Sequence, residues 1–352
     1  MDRAGAQAEV SGDARALKCL LSRWIHAREA AVPPASSAPK PASRSGDLRG
    51  GKAGPFPIDW GSLAPLRLKA RAVADGVYAG MHRSVRKGAG VEFGGQRPYV
   101  PGDDLRFFDR RSLLRHDRLM VREFETETDR ALWLCVDATA SMAYRSAGAP
   151  GSKLAYAALV SAALARVTLS TGDPIGLGWI GGHGTHGIPA MAGREAFERV
   201  VGALEGAAAA GDVSADAAAI DRTLGPIARR ARRGSVIVLL SDLLDLPDGA
   251  LSSFTALATS GRTLITVQVL DPVESELGFH GNVRLRAIEG DAVVEADADA
   301  VRAVYKERLL ALSTPWEKEL EARGGRLIRA TSADAPVAVV RSILKAVQEA
   351  RR

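Results

Sequence analysis

From residue 131 onward, short apolar runs alternate with longer amphipathic stretches, and this alternation constrains the fold more than any other feature. The apolar runs are Ala-Leu-Trp-Leu-Cys-Val-Asp-Ala, Pro-Ile-Gly-Leu-Gly-Trp-Ile-Gly-Gly, Ser-Val-Ile-Val-Leu-Leu-Ser-Asp and Thr-Leu-Ile-Thr-Val-Gln-Val-Leu-Asp. Between them lie helix-like segments beginning near Lys153, Arg194, Asp216 and Asp248. A strand that is apolar along its whole length must be covered on both faces, so the pattern predicts an α/β fold with a doubly wound, mostly parallel sheet. A hairpin insert is expected near 283–297. Two further helices, at about 299–324 and 336–350, flank a last strand, Gly-Arg-Leu-Ile-Arg-Ala-Thr.

Three zones follow from the walk along the chain. Residues 1–56 hold a short amphipathic helix at 14–30, with Leu17, Leu20, Leu21, Trp24 and Ile25 at helical spacing, and a Pro/Ala/Ser/Gly-rich linker. Residues 57–130 begin with a helix around Leu63–Gly80. They continue through glycine- and proline-punctuated turns to an alternating strand, Asp117–Glu127. Residues 131–352 form the α/β unit.

Charge is unevenly placed. Residues 1–130 carry 23 Lys+Arg against 16 Asp+Glu, and the rest carry 24 against 25. A basic N-terminal region admits a nucleic-acid reading through Arg106, Arg110, Arg111, Arg115, Arg118 and Arg122. Asp103, Asp104, Asp109 and Asp117 are interleaved there, so local ion pairs are the simpler account. No apolar run approaches the roughly 20 residues of a membrane span. The N-terminus lacks the apolar core of a signal peptide. With Cys19 and Cys135 as its two cysteines, the chain is expected to be cytoplasmic and free of a disulfide framework.

Two strand ends carry the chemistry. The first apolar run finishes on Asp137, Thr139 and Ser141, three hard oxygen donors two residues apart, which an extended chain places on one face. A helix cap would account for one such residue and not for three. The third run ends on Ser241-Asp242. In a doubly wound sheet, ligands bind beyond the strands' carboxyl ends where strand order reverses. Two carboxylates and two hydroxyls, completed by water, suit Mg²⁺ or Mn²⁺, and a partner's acidic residue could supply a last ligand.

Enzyme readings are weaker. Asp137 as the nucleophile of a phosphotransfer-type enzyme lacks the second acid of an Asp-x-Asp-x-Thr pattern. None of the six histidines sits in a recognisable triad. Gly-Ala-Pro-Gly-Ser-Lys-Leu lacks the spacing of a phosphate-binding loop, and no paired Cys-x-x-Cys suggests zinc. His183 and His186, in a glycine-rich turn, read as a solvent-exposed loop ahead of a metal pair. The chain is therefore expected not to be an enzyme.

The Asp-x-Thr-x-Ser-Met run, the later strand ending in Asp and the βα alternation resemble a von Willebrand factor A-type domain with its metal-ion-dependent adhesion site. The segment from Gly80 to Thr128, containing Gly-Asp-Asp-Leu-Arg, and Val-Leu-Asp-Pro-Val-Glu-Ser-Glu-Leu downstream are similar to the MoxR-associated family of unknown function that carries such a domain. The resemblance spans roughly 62–350. It implies Asp137, Thr139 (where the family usually has Ser), Ser141 and Asp242 as metal ligands. Ser214 stands where a loop Thr is usual and is a further candidate metal ligand, and Asp216 is expected to serve as a helix cap. Arg110 replaces an aromatic residue. The resemblance also implies a MoxR-type AAA+ ATPase as partner, in chaperone-like maturation of other proteins, with an acidic client residue completing the metal's ligands.

Overall fold

The computed structural model describes residues 65–79, 92–98, 120–125 and 130–350, apart from 215, 245, 260 and 287–292. The expected helix at 14–30, the linker, the Gly102–Arg106 turn and Arg110 lie outside the described residues.

The chain begins with α1 (Leu66–Ala79) and a separate antiparallel pair, β1 (Glu92–Pro98) and β2 (Met120–Glu125). The α/β unit follows as β3 (Leu132–Asp137), α2 (Lys153–Ser170), β4 (Ile175–Ile180), β5 (Ile188–Met191), α3 (Gly193–Gly206) and α4 (Ala217–Arg230). It continues through β6 (Val236–Ser241), α5 (Ala250–Thr255), β7 (Thr263–Leu270) and α6 (Pro272–Glu276). A small hairpin, β8 (Asn282–Arg286) with β9 (Val293–Asp297), precedes α7 (Ala298–Glu321), β10 (Arg326–Thr331) and α8 (Pro336–Ala350).

Six strands form one sheet in the order β10-β7-β6-β3-β4-β5, parallel except for β5. From β3 the chain steps one way to β4 and later the other way to β6. The point of reversal therefore lies between the carboxyl ends of β3 and β6, where such sheets leave a crevice. The antiparallel edge strand β5 was not legible as a strand, because four residues interrupted by Pro189 give too little periodicity.

Side-chain alternation divides the core into two layers. Leu132, Leu134 and Val136 of β3 and Val236, Val238 and Leu240 of β6 pack under α1, α2, α3 and α8. Trp133, Cys135, Ile237 and Leu239, one residue out of phase, pack against α4, α5 and the Trp316–Leu320 end of α7. Both faces are covered, which is why the strands read as unbroken apolar runs. Leu66, Ala70, Val73 and Val77, spaced at helical intervals along α1, join the first layer.

Helix α2 is apolar on nearly every side. It is long and apolar enough to cross a membrane, yet 72% of it is buried inside the protein, as befits a central core helix. Among the described residues no other helix has that length and composition.

Candidate functional site

At the carboxyl end of β3 the backbone turns into a short 3₁₀ segment, Ala140–Ala143, which brings Thr139 and Ser141 back toward Asp137. Thr139 donates twice to Asp137 Oδ1, from its backbone N–H at 2.9 Å and from its hydroxyl at 2.7 Å. Its one hydroxyl proton being used there, Thr139 Oγ1 accepts from Ser141 Oγ at 3.0 Å. Gly181, at the end of β4 with φ +66°, lies against this turn. A Cβ there would come within 3.1 Å of Thr139 Cγ2.

The end of β6 closes the arrangement from the neighbouring strand. Ser241 Oγ donates to Asp137 Oδ2 at 2.5 Å and accepts from Leu243 N at 3.0 Å. Leu243 adopts a left-handed conformation, φ +64°, which is rare for a branched side chain and marks local strain. That turn lets Asp242 Oδ1 accept from Leu244 N at 3.0 Å. Asp137, Thr139, Ser141, Ser241 and Asp242 are all buried, none more than 1% exposed.

Electrostatics at Asp137 are unbalanced. Burial pushes its carboxyl up, the negative charge of Asp242 pushes it further, and hydrogen bonds from Ser241 and Thr139 pull only part of the way back. The result is a pKa of about 7. A cation at this point would relieve both the burial and the repulsion. The donors are oxygen throughout, so the set fits Mg²⁺ or Mn²⁺ in chemistry. Among the described residues no group of three or more His, Cys, Asp or Glu side chains is arranged as a ready cage, so such an ion would depend on hydroxyls and water.

Two residues at this site were not singled out from the sequence. Lys153, the first residue of α2, is fully buried and donates to Asp242 Oδ2 and to Glu274 Oε1, each at 2.8 Å. Burial alone would lower its pKa. The two carboxylates outweigh burial and hold the ammonium above its ordinary value, so it is charged. Glu274 belongs to a capping box on α6. Its Oε2 accepts from Asp271 N at 2.8 Å, and Asp271 Oδ1 accepts from Val273 N at 2.9 Å. Each residue carried a local signal that did not name the other: Asp-x-x-Glu at 271–274, and a lysine opening a helix that is otherwise apolar. A lysine at a helix N-terminus opposes the macrodipole and needs a compensating partner.

Ser214 is not hydrogen-bonded to this cluster among the described residues. It is exposed in the turn before α4, and its backbone N–H donates to Asp212 Oδ1 at 2.7 Å. The loop that carries it does run alongside: Ala210 N donates to Ala138 O and Ala140 N donates to Gly211 O. Asp216 caps α4 by accepting from Ala218 N at 3.1 Å and pairs with Arg222. His183 and His186 are exposed. A cavity of about 510 Å³ opens between β4 and α4, lined in part by Trp133, Trp179, Thr223 and Arg230. Gly181 and Gly182 form its wall toward the Thr139 turn.

Residues 95–314 match the pattern of a family described as a protein of unknown function, DUF58. The chain belongs to the DUF58 family. Uncharacterized proteins of Mycobacterium tuberculosis and Mycobacterium bovis are 32% identical to it over 247 residues, covering 68% of this chain and 73% of each relative. Among solved structures, the conserved hypothetical protein BatB from Bacteroides thetaiotaomicron is 14% identical, with a TM-score of 0.40, covering 62% of this chain and 99% of its own. A von Willebrand factor type A protein from Catenulispora acidiphila is 13% identical with a TM-score of 0.30, covering 55% of this chain and 44% of its own. The DUF58 match takes in β3, β6 and α6, and with them every residue of the cluster described above.

Proposed function

We propose that this DUF58 chain is a non-catalytic, cytoplasmic, divalent-metal-dependent protein-interaction module. It acts with a MoxR-type AAA+ ATPase in chaperone-like maturation or assembly of other proteins. The observation that carries the reading is the convergence of Asp137, Thr139, Ser141 and the Ser241-Asp242 strand end at the reversal point of the sheet. Asp137, Thr139 and Ser141 would hold Mg²⁺ or Mn²⁺, which supplies a Lewis-acidic seat for an acidic side chain of the partner or client.

The chain's own residues set the terms of that binding. The Thr139 hydroxyl points at Asp137, the Ser141 hydroxyl is held on Thr139 Oγ1, and Ser241 fixes the far oxygen of Asp137. These donors are buried in the free chain.

The test is capture of the ATPase by the full chain in Mg²⁺, in chelator and at raised salt. Capture should require the cation and survive moderate salt, whereas a nucleic-acid-type contact would decline steeply with salt and ignore chelator. Undiminished capture by Asp137→Ala in chelator would remove the metal from the mechanism.

A further inference from the structure

Lys153 is the one buried cation placed against these carboxylates among the described residues, and it donates to both of them. Asp242 gives one oxygen to Lys153 Nζ and the other to Leu244 N. Glu274 gives one oxygen to Lys153 Nζ and the other to Asp271 N. Both carboxylates therefore have each oxygen engaged by the protein itself. Asp137 differs: its partners include the hydroxyls of Thr139 and Ser241, groups that can rotate and that are themselves oxygen donors to a cation.

We infer that Lys153 is the resident cation of this site. It offsets one of the two negative charges of Asp242 and Glu274, engages an oxygen of each, and leaves an added divalent ion to Asp137, Thr139 and Ser141. The inference rests on the metal reading above in taking those three residues as the donors for the added ion. A buried lysine that merely stapled α2 to the sheet would serve equally well against any carboxylate. Here it covers the acid that follows β6, whose charge is felt at Asp137. A positive charge fixed there repels an incoming divalent ion and occupies the oxygen such an ion would take. Lys153 thus sets how tightly the site holds metal, while removing the need for metal to keep Asp242 buried.

The experiment measures Mn²⁺ binding by calorimetry and electron paramagnetic resonance on the full chain, as wild type, Lys153→Met, and Lys153→Met with Asp242→Asn. Lys153→Met should bind Mn²⁺ about tenfold tighter or more, the order expected when one nearby charge is removed at a partly screened site. Its melting temperature should become strongly dependent on Mn²⁺. Adding Asp242→Asn should cancel the gain, because the released carboxylate is what the ion acquires. Wild-type affinity or weaker in a folded Lys153→Met overturns the inference. A Lys153→Met that folds in Mn²⁺ and not in chelator supports it, and one that folds in neither overturns it. If the wild type binds no Mn²⁺ and Lys153→Met does, the metal-dependent function falls and the role of Lys153 stands. If both bind equally, the reverse holds. If neither binds, both fall.

Discussion

Ser241 Oγ, at the end of β6, donates to Asp137 Oδ2 at the end of the adjacent parallel strand β3, across 2.5 Å. The two strands are in register through Leu132↔Val236 to Val136↔Leu240, so this bond closes the ladder with side chains where the backbone pairing stops. The same hydroxyl accepts from Leu243 N and so braces the strained residue after the site.

Ser241→Ala should therefore destabilise the chain by about 1–3 kcal/mol, the cost of leaving a buried acceptor and a buried N–H without partners. Urea unfolding of the full chain measures it. A change indistinguishable from zero would mean that the bond is not formed in solution.

Glu274→Ala removes the carboxylate that holds both Lys153 and the capping box of α6. Lys153 keeps its pair with Asp242, so the cost is that of a buried ammonium and the Asp271 N–H each losing an acceptor, about 1–3 kcal/mol. Glu274→Gln, which can still accept from Asp271 N, should lose less. Equal losses would show that the cap contributes nothing measurable.

Cys135 sits in the centre of β3, fully buried, and burial pushes its thiol up to about 12. In a Cys19→Ser background the native chain should leave an aromatic disulfide reagent unconsumed at pH 8. It should release one thiol only on denaturation. Rapid labelling of the native chain would contradict the packing described for β3.

Asp299 accepts from Gly281 N and pairs with Arg302 and His280, contacts that hold its carboxyl down at about 2. A depressed acid stabilises the fold above its unfolded pKa and loses that contribution as pH falls toward the folded value. Carboxyl-detected NMR should show the Asp299 step near pH 2. The 280–282 loop should loosen between pH 4 and 2, and Asp299→Asn should abolish that transition. A midpoint at the ordinary carboxylate value would refute the clamp.

Much of the fold was legible, for an identifiable reason. Strands β3, β4, β6 and β7 are buried on both faces, so their apolar runs are unbroken and fix the parallel sheet. Helices α2, α3 and α4 fall where the periodicity places them. Asp137, Thr139 and Ser141 were legible as a set of oxygen donors at a strand end, but β3 stops at Asp137 and the 3₁₀ turn, not one extended face, brings the three together. Lys153 and Glu274 were not, since their meeting depends on where α2 and α6 dock, and no local pattern records a contact between residues 121 positions apart. Ser214 had the right chemistry in the right loop. Its backbone N–H donates to Asp212 and the residue is exposed.

Gly176 and Trp133 are cross-strand neighbours on β4 and β3, and a Cβ on Gly176 would lie 2.5 Å from two carbons of the indole. Gly176→Ala should cost about 1–3 kcal/mol by overpacking, and Trp133→Leu in the same chain should recover part of that loss. A double-mutant cycle in urea tests it, and strict additivity would place the two residues out of contact.

The proline in β5 has a consequence for assembly. A sheet edge is a template for an incoming strand, because its outward N–H and C=O groups are unpaired. The template on the β5 side is four residues long and is broken at Pro189, which has no N–H to donate. Strand-to-strand polymerisation is accordingly disfavoured along that border of the molecule.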